Sequence, residues 1–175
     1  MKIVVVNGSP RKGNTAAAVE AFLAGADNCE AEVLNADTLN ISPCKGCGAC
    51  GCYKGCVAKD DSTAVVDKLV AANLVVFATP VYWWGVTAQL KKVIDKCYCR
   101  GAQLKGKKVG VIVPGGSPVD AEQYKLIRRQ FECIAEYLDW EILFYKPYYA
   151  TAKDDLKNNA EAMAELAALG ASFNG

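Results

Sequence analysis

Short apolar runs alternate with amphipathic stretches along all 175 residues. The runs predict strands near 2–7, 30–35, 73–79, 107–113 and 140–147, and the stretches predict helices near 15–26, 62–72, 86–98, 118–138 and 154–170. The fourth helix carries the clearest stripe, with Tyr124, Ile127, Phe131, Ile134 and Leu138 separated by alternating threes and fours. Ser117 and Pro118 read as its N-cap and first-turn proline. Runs such as Leu74-Val-Val-Phe-Ala78 and Val109-Gly-Val-Ile-Val113 are apolar throughout rather than alternating. Parallel strands covered by helices on both faces have that character, so five βα units predict a doubly wound α/β fold.

In such a sheet, ligands bind beyond the carboxyl ends of the strands. Three loops are expected there: residues 8–15, Thr79-Pro-Val-Tyr-Trp-Trp-Gly85, and Pro114-Gly-Gly-Ser-Pro118. The first offers hydroxyls on Ser9 and Thr15, positive charge on Arg11 and Lys12, and glycines at Gly8 and Gly13, and it leads straight into a helix. Backbone amides at a helix N-terminus complement a phosphate. Gly8-x4-Gly13 nearly forms the G-x-x-x-x-G-K-[ST] loop of nucleoside-triphosphate enzymes, but Asn14 stands where the lysine belongs, and G-x-G-x-x-G is missing. A cofactor with one terminal phosphate fits better. The aromatic second loop suits a flat heterocycle, while Tyr82, Trp83 and Trp84 are also compatible with core or subunit-interface positions.

Composition narrows the chemistry. The chain is 52% apolar, with 20 basic and 19 acidic residues, which indicates neither a nucleic-acid partner nor a disordered acidic protein. It enters an apolar strand at once without a signal-peptide pattern, and no apolar segment is long enough to span a bilayer, so a soluble cytoplasmic protein is expected. There is no histidine, which removes Ser-His catalysis and imidazole ligands from this chain. Asp60 and Asp61 directly precede the second helix, where capping is the expected role rather than paired acid–base catalysis.

Nine cysteines remain. Cys44, Cys47, Cys50, Cys52 and Cys56 fall within a segment of about 37–61 between the second strand and second helix, which reads as an insertion-like loop of a single 1–175 domain, projecting from the same edge as the three ligand loops. The spacing Cys44-x2-Cys47-x2-Cys50-x5-Cys56 supplies four soft thiolates suited to a four-iron, four-sulfur (4Fe-4S) cluster. Tetrahedral zinc and free redox thiols stay open alternatives, and Cys52 competes with Cys56 for the fourth position. Cys97 and Cys99 at the far end of the third helix, and Cys29 and Cys133 near buried faces, are expected to be packed thiols.

Gly8-Ser-Pro-Arg-Lys-Gly-Asn-Thr15, together with Thr79-Pro-Val-Tyr-Trp-Trp-Gly85 and Gln89-Leu-Lys-x-x-Ile-Asp95, resembles the NADPH-dependent FMN reductase and iron–sulfur flavoprotein branch of the flavodoxin-like superfamily over nearly the whole chain. The resemblance implies a flavodoxin-like three-layer sandwich with strand order 2-1-3-4-5. It implies FMN phosphate held by Ser9, Arg11, Asn14 and Thr15, with Lys12 and Gly13 shaping that loop. The isoalloxazine is then flanked by Pro80, Val81, Tyr82, Trp83, Trp84 and Gly85 and by Gly115 and Gly116. It further implies a cluster on Cys44, Cys47, Cys50 and Cys56, NAD(P)H as co-substrate, and a homodimer or homotetramer. No catalytic side chain is expected, because the flavin carries the chemistry. The expected activity passes electrons from a nicotinamide to a quinone, nitroaromatic, flavin or iron–sulfur acceptor. The alternative is an iron–sulfur electron carrier without NAD(P)H turnover, serving a redox-protein partner.

Overall fold

The computed structural model describes all 175 residues, Met1–Gly175. Five parallel strands, β1 (Lys2–Asn7), β2 (Glu30–Asn35), β3 (Leu74–Ala78), β4 (Lys108–Gly115) and β5 (Glu141–Tyr149), form one sheet in the order β2-β1-β3-β4-β5. They alternate with α1 (Asn14–Gly25), α2 (Ser62–Ala71), α3 (Ala88–Lys96), α4 (Glu122–Leu138) and α5 (Ala160–Ala171), and α3 continues into a 3-10 turn at Cys97–Arg100. This is the expected flavodoxin-like sandwich. None of these helices is long and apolar enough to cross a membrane.

The apolar strands are explained by their two covered faces. Val4, Val6, Val75, Phe77, Val109 and Val111 point into one core with Val65, Leu69, Leu90, Val93, Ile127 and Phe131 of α2, α3 and α4. Their sequence neighbours Ile3, Val5, Leu74, Val76 and Ile112 point into the other, with Ala18, Phe22 and Leu166 of α1 and α5. Each fully buried side chain of this size stabilises the fold by roughly 1.5–3 kcal/mol. On the second face the helices approach unusually closely. A Cβ on Gly25 would lie 1.8 Å from the Ala167 carbonyl oxygen, and one on Gly170 would lie 1.9 Å from that of Phe22. The alanine-rich sequences of α1 and α5 therefore encode backbone proximity more than a bulky stripe.

Two helix starts differ from the sequence expectation. α4 begins at Glu122, because Ala121 is extended and its amide closes a turn on the Pro118 carbonyl at 2.9 Å. Ser117 does not cap; its carbonyl accepts from the Tyr124 hydroxyl at 2.9 Å. α5 begins at Ala160 rather than near 154, because Asp155 accepts from the amides of Thr151 and Ala152 and holds that stretch in turns. Asn159 supplies the cap, its Oδ1 accepting from the Ala162 amide at 3.0 Å.

Candidate functional site

The carboxyl edge of the sheet opens into a cavity of about 590 Å³. Its walls gather Ser9, Arg11, Lys12, Gly13, Asn14 and Thr15 with Pro80, Val81 and Tyr82, and with Gly115 and Gly116. Ala150, Thr151, Ala152 and Lys153, just beyond β5, complete it. Those four were not singled out from the sequence. The signal was available: a loop following the fifth parallel strand must emerge at the same edge as the other three.

The geometry of the first loop follows from its residues. Ser9 Oγ donates to the Arg11 carbonyl at 2.9 Å and accepts from the Arg11 amide at 3.2 Å, so the hydroxyl builds the turn. The Ser9 amide donates to Asn7 Oδ1 at 3.1 Å. Gly13 occupies the N-cap of α1 and offers no side-chain acceptor, leaving the first-turn amides without an intrahelical or capping partner. Thr87 caps α3 and Asn159 caps α5. The α1 terminus instead combines uncapped helix-end amides with Arg11, Lys12 and Lys153, a suitable field for an anion.

Gly8 serves a different purpose from the one expected. It lies outside the cavity wall, and a Cβ there would meet Leu90 Cβ at 2.7 Å. Thr87 Oγ1 donates to the Gly8 carbonyl at 2.7 Å and accepts from the Leu90 amide at 3.1 Å. The glycine thus lets the end of β1 dock against the start of α3, aligning the first loop with the second. Asn14 also differs. Its Nδ2 donates to the Ala152 carbonyl at 2.7 Å and its Oδ1 accepts from the Leu156 amide at 3.0 Å, so the side chain latches the loop after β5 onto α1.

The aromatic loop divides. Val81 and Tyr82 face the cavity, and the Arg11 guanidinium stands 6.0 Å from the Tyr82 ring centroid. Trp83, Trp84 and Gly85 lie outside the wall. Reciprocal 3.0 Å bonds between Tyr82 and Gly85 close a two-residue turn, which places Trp83 at φ 47° and Trp84 at φ 62°. Both central residues of such a turn must be left-handed, and tryptophan is an unusual choice for it. The rings meet edge to face at 5.4 Å, with Trp83 90% exposed. Gly115 accommodates this loop, since a Cβ there would sit 2.8 Å from Val81 Cγ2.

The cysteine loop leaves and returns near the carboxyl edge, pinned by carboxylates. Asp60 accepts from the Ser42 amide and hydroxyl and from the Ser62 amide, while Asp61 Oδ2 accepts from the Asn40 amide at 2.8 Å. Asp61 occupies the N-cap position of α2 without a side-chain cap bond. Burial works against ionisation of Asp60, yet the hydrogen bonds from Ser42 and Ser62 hold its carboxyl well below the usual range.

The sequence expectation is a loop projecting beside the ligand loops, but between those pins none of its residues lines the first cavity. It drapes onto the end of α3: the Gly55 amide donates to the Cys99 carbonyl and the Ala102 amide to the Cys52 carbonyl, each at 3.2 Å. There, Cys44, Cys47, Cys50 and Cys56 line a separate cavity of about 550 Å³, together with Lys96 and Cys99. Cys52, at φ 66°, faces another groove beside Tyr98 and Gly101. Cys97 is a packed thiol, pushed up to about 12 mainly by burial. Cys99 is buried, but it is packed against the cysteine loop; Cys133 is exposed, because α4 turns it away from its buried stripe. No three of the cysteine, aspartate and glutamate side chains converge as ligands of a single ion.

Several known proteins are similar to this chain in sequence or in architecture. An iron–sulfur flavoprotein from Archaeoglobus fulgidus is 38% identical over 118 residues, covering 65% of this chain and 54% of the relative. The chain spans about half the length of the first two curated relatives it matches. Among solved structures, azoreductase AzrA superposes with a TM-score of 0.73 at 16% identity, covering 99% of this chain and all of that one. A flavodoxin from the domain Archaea superposes with a TM-score of 0.62 at 15% identity, covering 99% of this chain and 96% of that one. At such identities these two likenesses show the fold. The model of the NADPH-dependent FMN reductase family matches residues 1–135, which include the first loop, the cysteine loop and the aromatic turn, and this chain belongs to that family.

Proposed function

We propose that the protein is an FMN-dependent NAD(P)H oxidoreductase that passes electrons from a reduced nicotinamide to a quinone, nitroaromatic, flavin or iron–sulfur acceptor. The observation that carries this reading is the single cavity joining the uncapped start of α1 to the Pro80–Tyr82 and Pro114–Gly116 walls. Its 590 Å³ falls within the roughly 300–1,000 Å³ range of cofactor and small-ligand sites. Cationic and amide donors line it together with apolar and aromatic groups, so the residues fit a phosphorylated flat ring.

In this reading the amides at the start of α1, Arg11, Lys12 and the Thr15 hydroxyl hold the phosphate. Ser9 keeps the turn that presents those amides, and Asn14 keeps the Ala150–Lys153 wall in place. Val81 and Tyr82 border the ring on one side, with Gly115 and Gly116 on the other. Bound FMN supplies hydride and single-electron chemistry, so no protein side chain has to act as acid or base. The exposed Trp83–Trp84 turn is the expected place for a neighbouring subunit of a homodimer or homotetramer. Titrating the protein with FMN tests the cofactor assignment: saturable quenching of flavin fluorescence by one equivalent supports it, and no binding refutes it.

For the cysteine loop we propose a four-iron, four-sulfur cluster held by Cys44, Cys47, Cys50 and Cys56. Four soft donors lining one cavity without converging on a point suit a cube, whose irons spread the ligands over its corners. Cys56 is the fourth ligand because Cys52 faces away. Iron and acid-labile sulfide, quantified after anaerobic reconstitution, test this: four of each per chain are expected, and zinc or no metal would refute it.

A further inference from the structure

Lys96 is 4% exposed, although its side chain ends in an ammonium group. Lysine is almost never buried so completely without an anion beside it, because an unpaired charge in a protein interior is costly. The bond its Nζ makes is to Cys56 Sγ, at 3.3 Å. The Asp95 carboxylate, in the wall of the same cavity, has another partner, accepting from Lys91 at 2.5 Å. Cys56 is itself fixed in position. Its amide donates to Thr63 Oγ1 at 2.8 Å, and its carbonyl accepts from the same hydroxyl at 3.2 Å. A buried cation is therefore aimed at one sulfur in the wall of a cavity that gathers Cys44, Cys47, Cys50 and Cys99 as well.

We propose that Lys96 is the charge-compensating residue of the cysteine site: its ammonium, donating to the Cys56 sulfur, stabilises the reduced state of an iron–sulfur cluster held there and sets its reduction potential. This rests on the cluster reading above. Uptake of one electron makes such a cluster one unit more negative without making or breaking a covalent bond. A fixed positive charge beside one ligand sulfur stabilises that state more than the oxidised one. Hydrogen bonds to the sulfurs and local charge are the means by which a protein tunes such potentials. The electron comes from the reduced flavin, or from dithionite in the test.

The experiment is an anaerobic dithionite titration of the reconstituted full chain, followed by electron paramagnetic resonance, in the wild type and in Lys96→Met, Lys96→Gln and Lys96→Arg. The expected result is a shift to lower potential in Lys96→Met and Lys96→Gln at full iron and sulfide content, with Lys96→Arg close to the wild type. Loss of cluster from Met and Gln variants that keep their far-ultraviolet dichroism, with full loading of the Arg variant, also supports the charge requirement. An unchanged potential in loaded Lys96→Met or Lys96→Gln overturns the role of Lys96 and leaves the cluster assignment standing. Wild-type protein without iron and sulfide overturns both.

Discussion

The Asn14 amide reaches across 138 residues of chain to the Ala152 carbonyl, 2.7 Å away, while its oxygen receives the Leu156 amide at 3.0 Å. One side chain thus joins the start of α1 to the far wall of the cavity at the carboxyl edge. Asn14→Ala removes both bonds and leaves the Leu156 amide without that acceptor. We expect a loss of about 1–3 kcal/mol in stability, measured by urea unfolding, together with weaker FMN binding. Asn14→Asp keeps the acceptor and loses the donor, so it should fall between the two. An alanine variant with wild-type stability would show that the latch contributes nothing.

Arg11 and Thr15 are assigned to the phosphate itself. Replacing either with alanine should weaken FMN binding by roughly tenfold or more, as expected for a lost hydrogen bond to a charged group worth about 1.5–3 kcal/mol. Riboflavin, which lacks the phosphate, should bind the variants and the wild type almost equally. Fluorescence titration with both flavins checks this, and unchanged FMN affinity in both variants refutes the phosphate site.

Trp83 and Trp84 hold the turn in a left-handed backbone that costs an ordinary residue about 1–2 kcal/mol. Asparagine followed by glycine is the preferred pair for such a turn. Trp83→Asn combined with Trp84→Gly should therefore raise the stability of the flavin-free protein by about 1 kcal/mol while lowering turnover and subunit association. Differential scanning calorimetry and sedimentation velocity read the two effects. A destabilised variant would indicate that the rings support the fold rather than a subunit contact.

Asp60 gives the protein a defined acid response. Its folded pKa lies below the unfolded value of about 3.9, so it contributes stability fully above that value. The contribution declines as pH falls below it and is lost once the folded carboxyl is protonated. Asp60→Asn should unfold earlier than the wild type at neutral pH, and the gap should narrow near about pH 3. A gap that stays constant with pH would contradict the assignment.

The alternating pattern made the fold legible, because both faces of a parallel sheet impose unbroken apolar strands that few other arrangements produce. Cavity residues close to a strand end, such as Arg11, Thr15 and Tyr82, were legible for a related reason: the topology places every such loop at one edge. Long-range roles were not. Nothing local in Asn14 indicates a partner near position 152, and nothing in Lys96 indicates that α3 delivers its ammonium to Cys56. A glycine at position 8 permits close approach, but the surface it approaches is Leu90 rather than a phosphate. The destination of the cysteine loop was hidden too, since its course is set by backbone bonds to residues 99 and 102, well beyond its own segment.

Anaerobic stopped-flow mixing of the FMN-loaded protein with NADH or NADPH tests the central claim most directly. The account predicts that at least one nicotinamide bleaches the oxidised flavin absorbance in a single saturable phase, followed by recovery when a quinone is added. If neither nicotinamide bleaches the flavin while dithionite does, the reductase assignment is contradicted and the protein is an electron carrier.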